Sequence, residues 1–341
     1  MKPRKVENPP NPWASHHVEW LGRPPEIDLV VYEEKARSIL SENKSPDLPF
    51  RYGLNPYRGC FHGCIYCYAR PTHQYLDFGA GSDFERRIVV KTNAAARLKA
   101  RLDSPGWEPE TIVFSGVTDC YQPLEASYQI TRQCLEVCAS RRNPVGFVTK
   151  GALIRRDVDR LGEMAEWNGV RVFISIPFAD DEAGWAIEPQ ASAISQRFKT
   201  LRILADAGVD VGVSLAPLIP GLNDSDIPRI LERAAEAGAS RAFMTLLRLP
   251  KPVDQIFEQR LRRVYPERAD RVLSALEELR GGARNDSRFG RRMVGQGPRW
   301  QMMAQLFRQC CDRLGISTER EKDLCRDHFR RHGQLDLGFS C

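Results

Sequence analysis

Residues 57–70 read YRGCFHGCIYCYAR, placing Cys60, Cys64 and Cys67 within eight positions, three and then two residues apart. Thiolates at that spacing reach three corners of one small metal cluster, and Gly59 and Gly63 let the backbone turn tightly around it. A structural zinc needs a fourth ligand nearby, for which the sequence offers His62 inside the loop and His73 just beyond it. No second CxxC unit is at hand. The spacing therefore favours an iron–sulfur cluster with one iron left open over a tetrahedral zinc.

Outward from this stretch, the chain alternates short apolar, β-branched runs with amphipathic segments. Strands are expected over 50–57, which delivers the cysteines, and over 111–114, 145–149, 170–176, 209–215 and 242–247. The helices between them are expected over 124–140, 154–167, 192–207 and 225–237, with Gly169, Gly208 and Gly238 as stops. A further strand over 88–90 leads into a helix over 94–102 that Thr92 or Asn93 can cap. Such alternation implies parallel pairing through right-handed crossovers. Six βα units are fewer than a closed eightfold barrel needs, so periodicity alone leaves a doubly wound sheet as the competitor.

The flanks read differently. Residues 1–48, rich in Pro and charge, are expected to form an arm around the core, with a short helix over 33–40 and with His16 and His17 on the surface. Residues 49–250 carry the βα units. Residues 251–341 form a helical extension, with helices over 253–264, 266–279 and 299–314 and a glycine-rich loop over 281–297. Between Arg260 and Arg299 there are 11 Arg and no Lys against five acidic residues, an excess equal to the formal net charge of +6. Arginine without lysine suits bidentate phosphate contact, while the same run on helices reads equally as a solvated face with internal ion pairs.

With 42% hydrophobic and 28% charged residues in 341, the chain is globular and able to bury a sizeable core. No apolar run follows Met1 or spans a bilayer, so the cytoplasm is the expected location and no membrane partner is expected. Of ten cysteines, the seven outside the cluster loop are read as reduced thiols. Cys310, Cys311, Cys325 and Cys341 match no ferredoxin spacing and are read as helix-packing thiols.

The CxxxCxxC spacing with an aromatic, Tyr66, before the third cysteine resembles the radical SAM superfamily, in which the open iron binds the amino and carboxylate groups of S-adenosylmethionine. The resemblance implies an α/β fold, a partial (β/α)6 TIM-like barrel, and a [4Fe–4S] cluster on Cys60, Cys64 and Cys67. It implies cofactor contacts at the strand ends: Tyr66, Ser115, Gly116 and Asp119, with Glu125 as a second acid; Lys150 for the methionyl carboxylate; Ser175 for the ribose; Arg197; and residues 216–224 along the adenine, where Asn223 or Asp224 also caps a helix. Together with Glu188, Pro189 and Arg288-Phe289-Gly290, these recur in the order found in the spore photoproduct lyase branch and its DNA-repair-photolyase-like relatives. That branch places tyrosines around the third cysteine, making Tyr68 a candidate radical relay. Its hydrogen-donating cysteine maps to Gly116, leaving Cys120, four residues on, as the candidate donor. The implied activity is reductive cleavage of S-adenosylmethionine to a 5′-deoxyadenosyl radical for hydrogen abstraction. A nucleic-acid substrate and a reducing partner such as flavodoxin or ferredoxin go with it. The rivals are a noncatalytic zinc-stabilised nucleic-acid-binding protein and a radical SAM enzyme acting on a small molecule or protein.

Overall fold

The eleven strands of the computed structural model, which describes residues 4–6, 29–319 and 324–331, are β1 (Arg4–Val6), β2 (Val30–Glu34), β3 (Leu40–Glu42), β4 (Tyr52–Leu54), β5 (Tyr57–Arg58), β6 (Arg87–Lys91), β7 (Ile112–Phe114), β8 (Val145–Thr149), β9 (Val170–Ser175), β10 (Asp210–Leu218) and β11 (Arg241–Leu246). Six of them, β4, β7, β8, β9, β10 and β11, pair in parallel in that order, and β3 lies antiparallel on the outer edge of β4. A doubly wound sheet would reverse its strand order part-way across. Here the spatial order follows the chain without reversal, and β3 and β11 stand at opposite ends of the sheet and are not paired with each other, so the wall is an open barrel of six βα units.

The alternation of side chains across the strands gives this wall two faces. Leu54, Phe114 and Phe147 share one register row, and with Ile174, Val213 and Leu215 they are buried. Val113, Val148, Phe173 and Phe243 lie on the other face and are half-buried. A Cβ at Gly212 would come within 2.4 Å of the Phe173 ring, so glycine there makes room for Phe173 to meet Phe243 edge-on at 4.9 Å.

Several expected elements are corrected. Residues 33–40 form no helix, because Val30–Glu34 runs parallel to β6 and buries Val31, and the Asn93 amide then pairs with both the N–H and the C=O of Ala36 (2.8 and 3.0 Å). Tertiary pairing outweighs local helix propensity, and Asn93 is used up as a bridge instead of a helix cap. The single strand over 50–57 is two strands in different sheets: β4 joins the barrel, while β5 joins a small sheet of order β1-β2-β6-β5. The helix over 124–140 breaks at Gln129 (φ +52°) into Glu125–Tyr128 and Ile130–Ser140, and the one over 154–167 starts as a 3-10 turn before Val158–Ala165. Ile194–Asp206 and Ile227–Glu236 end at left-handed Gly208 and Gly238 as expected, but Asn168 takes that conformation before Gly169. The sequence reading missed the helix Asp181–Ile187, although Asp180 caps it by accepting from the Ala183 N–H.

Beyond the barrel, helices Val253–Val264, Ala269–Leu279 and Gly297–Leu314 follow, the last packed on Ile227–Glu236 with Cys310 and Cys311 buried. Cys325 is disulfide-bonded, which corrects its reading as a reduced thiol. Cys341, His16 and His17 lie outside the described residues. Among those described, no helix is long and apolar enough to cross a membrane.

Candidate cluster and cofactor site

The cysteine loop leaves β5 through Gly59, whose φ of +79° and crowding require glycine: a Cβ would sit 2.9 Å from Phe84 O and from the His73 and Ile88 side chains. Cys60 and Cys64 are buried and Cys67 is half-buried. Arg70, fully enclosed, donates to the carbonyls of Gly63, Cys64, Ala80 and Gly81 and pairs with Glu85, which also binds Arg260. Gln122 accepts from Phe61 N–H (2.9 Å) and donates to Gly59 O (3.3 Å). Ile65 N–H bonds Ile187 O and Gln190 N–H bonds His62 O, tying the loop to the helix after β9.

Burial pushes the Cys60 thiol up to about 12 and raises Cys64 and Cys67 as well. Such thiols become ligands only against concentrated positive charge, which iron in a cluster supplies. Neither candidate fourth ligand joins them. The His62 Nδ1 lies 3.4 Å from Asp119 Oδ2, and burial holds its pKa below the usual value. The His73 Nε2 is 2.8 Å from Arg87 O, with its ring against Phe78 and Phe84. Among the described residues no three His, Cys, Asp or Glu side chains close around a point able to hold one metal ion. Ligands of a cluster bind different irons and stand farther apart than those of a single ion, so three loop thiols without a fourth protein ligand fit a cluster with an open corner.

Asp119, expected to meet a ligand ammonium, braces the loops around it. Its Oδ1 accepts from Tyr121 N–H (2.9 Å) and the Thr149 hydroxyl (2.6 Å), and its Oδ2 from Lys150 N–H (2.7 Å) with His62 alongside. Three of the roughly four acceptor positions of a carboxylate are thus filled by hydrogen bonds from the chain. Glu125 is likewise engaged by Tyr57 OH, Arg156 and the Thr131 and Arg132 N–H groups, which makes it the buried cap of Ile130–Ser140. Burial raises its pKa, opposed by the Tyr57 and Arg156 hydrogen bonds.

Ser115 and Gly116 arch the chain after β7 at φ +85° and +112°. Gly116 is required by that angle and not by crowding, since a Cβ there would meet nothing within 4 Å. The Ser115 hydroxyl lies 3.3 Å from both the N–H and the Sγ of Cys120. Cys120 is fully enclosed beneath this arch, and burial raises its thiol pKa. Tyr68 does face outward, 46% exposed, its hydroxyl 2.5 Å from Gly116 O.

At the ends of β8 and β9, Glu188 gathers three groups. It accepts from Tyr66 OH, pairs with Arg197 at 2.5 Å, and lies 3.9 Å from Lys150 Nζ, which sits 5.8 Å from the Tyr66 ring centre. Burial pushes the Lys150 pKa down, but the charges of Glu188, Cys64 and Asp119 together outweigh it and leave the pKa raised. Arg197 spends its other donors on Ser192 O and Ser175 O, and the Ser175 hydroxyl bonds Ala216 O (3.2 Å). Asn223 accepts from Ile219 N–H and donates to Pro177 O and Pro217 O, and Asp224 accepts from Gly221 N–H. Neither caps Ile227–Glu236, whose N-cap is Asp226.

The radical SAM superfamily model matches residues 54–234, from the start of the cysteine region through the fifth parallel strand and its helix. The chain belongs to the radical SAM superfamily. It is 37% identical over 255 residues to an uncharacterized protein of Mycobacterium tuberculosis, spanning 73% of this chain and 74% of that one. An uncharacterized protein of Methanocaldococcus jannaschii is 27% identical over 196 residues, 58% of this chain and 70% of its own. In fold, the chain is similar to spore photoproduct lyase complexed with dinucleoside spore photoproduct, with a TM-score of 0.60 at 17% identity over 84% of this chain and 80% of that one.

The arginine excess over 260–299 is largely neutralised within the molecule. Arg260 pairs with Glu85, Arg262 with Glu258 and Asp270, Arg284 with Glu258 and Glu277, Arg288 with Asp286, Arg292 with Asp47, and Arg299 with Asp224 and Glu278. Arg280 donates to the carbonyls of Leu247, Arg291, Arg292 and Val294. Arg70, Gln122 and Arg248 escaped the sequence reading. Arg70 left one signal: an arginine three residues past the last cysteine of a glycine-bearing loop, where carbonyls need donors.

Proposed function

We propose that this chain is a radical SAM enzyme acting on nucleic acid, with Cys60, Cys64 and Cys67 holding a [4Fe–4S] cluster and Lys150 binding the cofactor carboxylate. The observation carrying the reading is the loop of three thiols at the C-terminal edge of the parallel wall, with His62 and His73 both committed elsewhere. When bound, the cluster and S-adenosylmethionine supply a 5′-deoxyadenosyl radical for hydrogen abstraction.

The residues of the chain do the positioning. Arg70 and Gln122 hold the loop carbonyls and N–H groups so that the thiols turn inward as a set. Asp119 locks His62, Thr149 and the Lys150 backbone together, so the cluster loop and the end of β8 move as one body. Glu188 lies beside the Lys150 amine and fixes Tyr66. The Ser115–Gly116 arch, Ser175 and residues 216–224 bound the rest of the cofactor. Tyr68, exposed beside Gly116, is the radical relay in this reading.

Two features support nucleic acid as the substrate. Exposed Tyr68 and Phe289 each carry an arginine over one ring face, a pattern suited to stacking bases beside phosphates. The fold neighbour spore photoproduct lyase binds a dinucleoside photoproduct. A low-potential donor such as flavodoxin or ferredoxin would serve as reductant.

Anaerobic reconstitution is expected to load about four iron and four sulfide per chain, and loading should fail when Cys60, Cys64 and Cys67 are all changed to Ala. One zinc per chain with no iron uptake would support the zinc-stabilised binding protein instead. Reduced holoenzyme incubated with S-adenosylmethionine and deuterated oligonucleotides, damaged and undamaged, should yield deuterium-labelled 5′-deoxyadenosine. Cofactor cleavage without label from any nucleic acid would move the substrate to a small molecule or a protein.

A further inference from the structure

Arg248 follows β11 by two residues and so stands at the same C-terminal edge as the cysteine loop, the Ser115–Gly116 arch and Lys150. Its guanidinium carbon lies 5.1 Å from the Tyr68 ring centre, on the residue whose hydroxyl reaches Gly116 O. Of its neighbours, Arg292 pairs with Asp47, and Arg280 directs both terminal nitrogens to four carbonyls although its Nε is also buried without a partner. Arg248 has no carboxylate within ion-pair distance among the described residues. Its Nε is buried without a partner, and its one side-chain hydrogen-bond contact among the described residues is the Met293 sulfur at 4.0 Å. A half-buried guanidinium is costly to leave uncompensated. The cost is understandable where a ligand anion completes the site, and burial together with Arg292 pushes its pKa down in the anion's absence. On the same side, Phe289 is 59% exposed under the Arg292 guanidinium at 4.8 Å, offering a free ring face.

Resting on the nucleic-acid reading above, we propose that Arg248 is the phosphate anchor of the substrate: it grips one phosphodiester of an unpaired strand beside Tyr68, while a base of that strand stacks on Phe289. The fork of a guanidinium binds a phosphate with two parallel hydrogen bonds. Stacking on an exposed ring needs a base out of the duplex, so the substrate is single-stranded or extruded nucleic acid. Arg248 thus sets which carbon of the strand lies against Tyr68, a specificity-determining role and not a chemical one.

The test is binding of fluorescent single-stranded and duplex oligonucleotides to reconstituted holoenzyme, over 50 to 200 mM salt, for the parent, Arg248→Gln and Arg248→Lys, with iron content as the control for folding. The parent should bind the single strand more tightly than the duplex. Arg248→Gln should weaken single-strand binding roughly tenfold, the loss of hydrogen bonds to a charged group. It should also lower the salt slope by about 0.7, the contribution of one single-strand phosphate. Arg248→Lys should restore the slope but only part of the affinity, since charge returns without the fork. Phe289→Ala should weaken binding with no change of slope. A parent that binds the oligonucleotides while Arg248→Gln binds with the same affinity and slope overturns the anchor and leaves the nucleic-acid reading standing. A parent that binds neither oligonucleotide overturns both.

Discussion

Arg70 shows how much of the cluster site rests on a residue that touches no iron. Its five donors go to four loop carbonyls and Glu85. Lysine carries the same charge on a compact ammonium and cannot span that set. Arg70→Lys should therefore leave at least two buried carbonyls unpaired and cost about 3 kcal/mol or more. At this chain length that is a fall of roughly 4 °C in Tm. Thermal unfolding and iron per chain check it together, and a variant with parental Tm and full iron loading would show that the cage is dispensable. Glu125 and Asp119 carry a similar lesson: as residue types both suit ligand binding, yet the chain itself gives four hydrogen bonds to Glu125 and three to Asp119.

At the level of elements, β6 joins the arm to the barrel and ends in Lys91, whose amine donates to Asn55 O at 2.8 Å. Burial lowers its pKa from 10.5 to about 8, with Arg58 adding to the shift and Glu34 opposing it. The folded form thus binds fewer protons than the unfolded chain between those values. A depressed folded pKa contributes stability that is present above about 10.5 and lost as pH falls to about 8. The Tm difference between the parent and Lys91→Met should grow in the parent's favour from pH 8 to pH 10. A difference that stays flat across that range would mean the amine is solvated and ordinary. The same two strands explain why residues 33–40 escape their helical propensity, since the pairing of β2 with β6 satisfies the backbone that a helix would have satisfied locally.

Over the whole molecule, the glycine-rich loop between the extension helices is fastened to the arm by Asp47. Its carboxylate accepts from Gly290 N–H and pairs with Arg292. The Gly290 hydrogen bond, then Arg292, hold the Asp47 pKa below 3.8. The fastening therefore contributes stability above pH 3.8 that is lost as pH falls through the folded value. Asp47→Asn should raise hydrogen exchange across residues 286–294 about tenfold at pH 7, an opening easier by about 1.4 kcal/mol. Unchanged exchange would show that Arg280 and its carbonyls alone hold the loop.

The cysteine spacing and the alternation of strand and helix are local and periodic, so the resemblance to the superfamily and the six βα units are legible in the sequence. What the sequence by itself could not decide was which of its polar groups remain free. The +6 excess of 260–299 looks like a phosphate-binding face when read as composition, but carboxylates distant in the chain, Asp47, Glu85 and Asp224 among them, neutralise much of it in space. Cys120 looks like a donor by its number and is enclosed by its fold. Arg248 was invisible as one arginine among many, and only the tertiary arrangement places it against Tyr68 with no carboxylate in ion-pair reach among the described residues. Periodicity is written in neighbours along the chain, whereas the pairing of charges depends on distances that exist only once the chain has closed on itself.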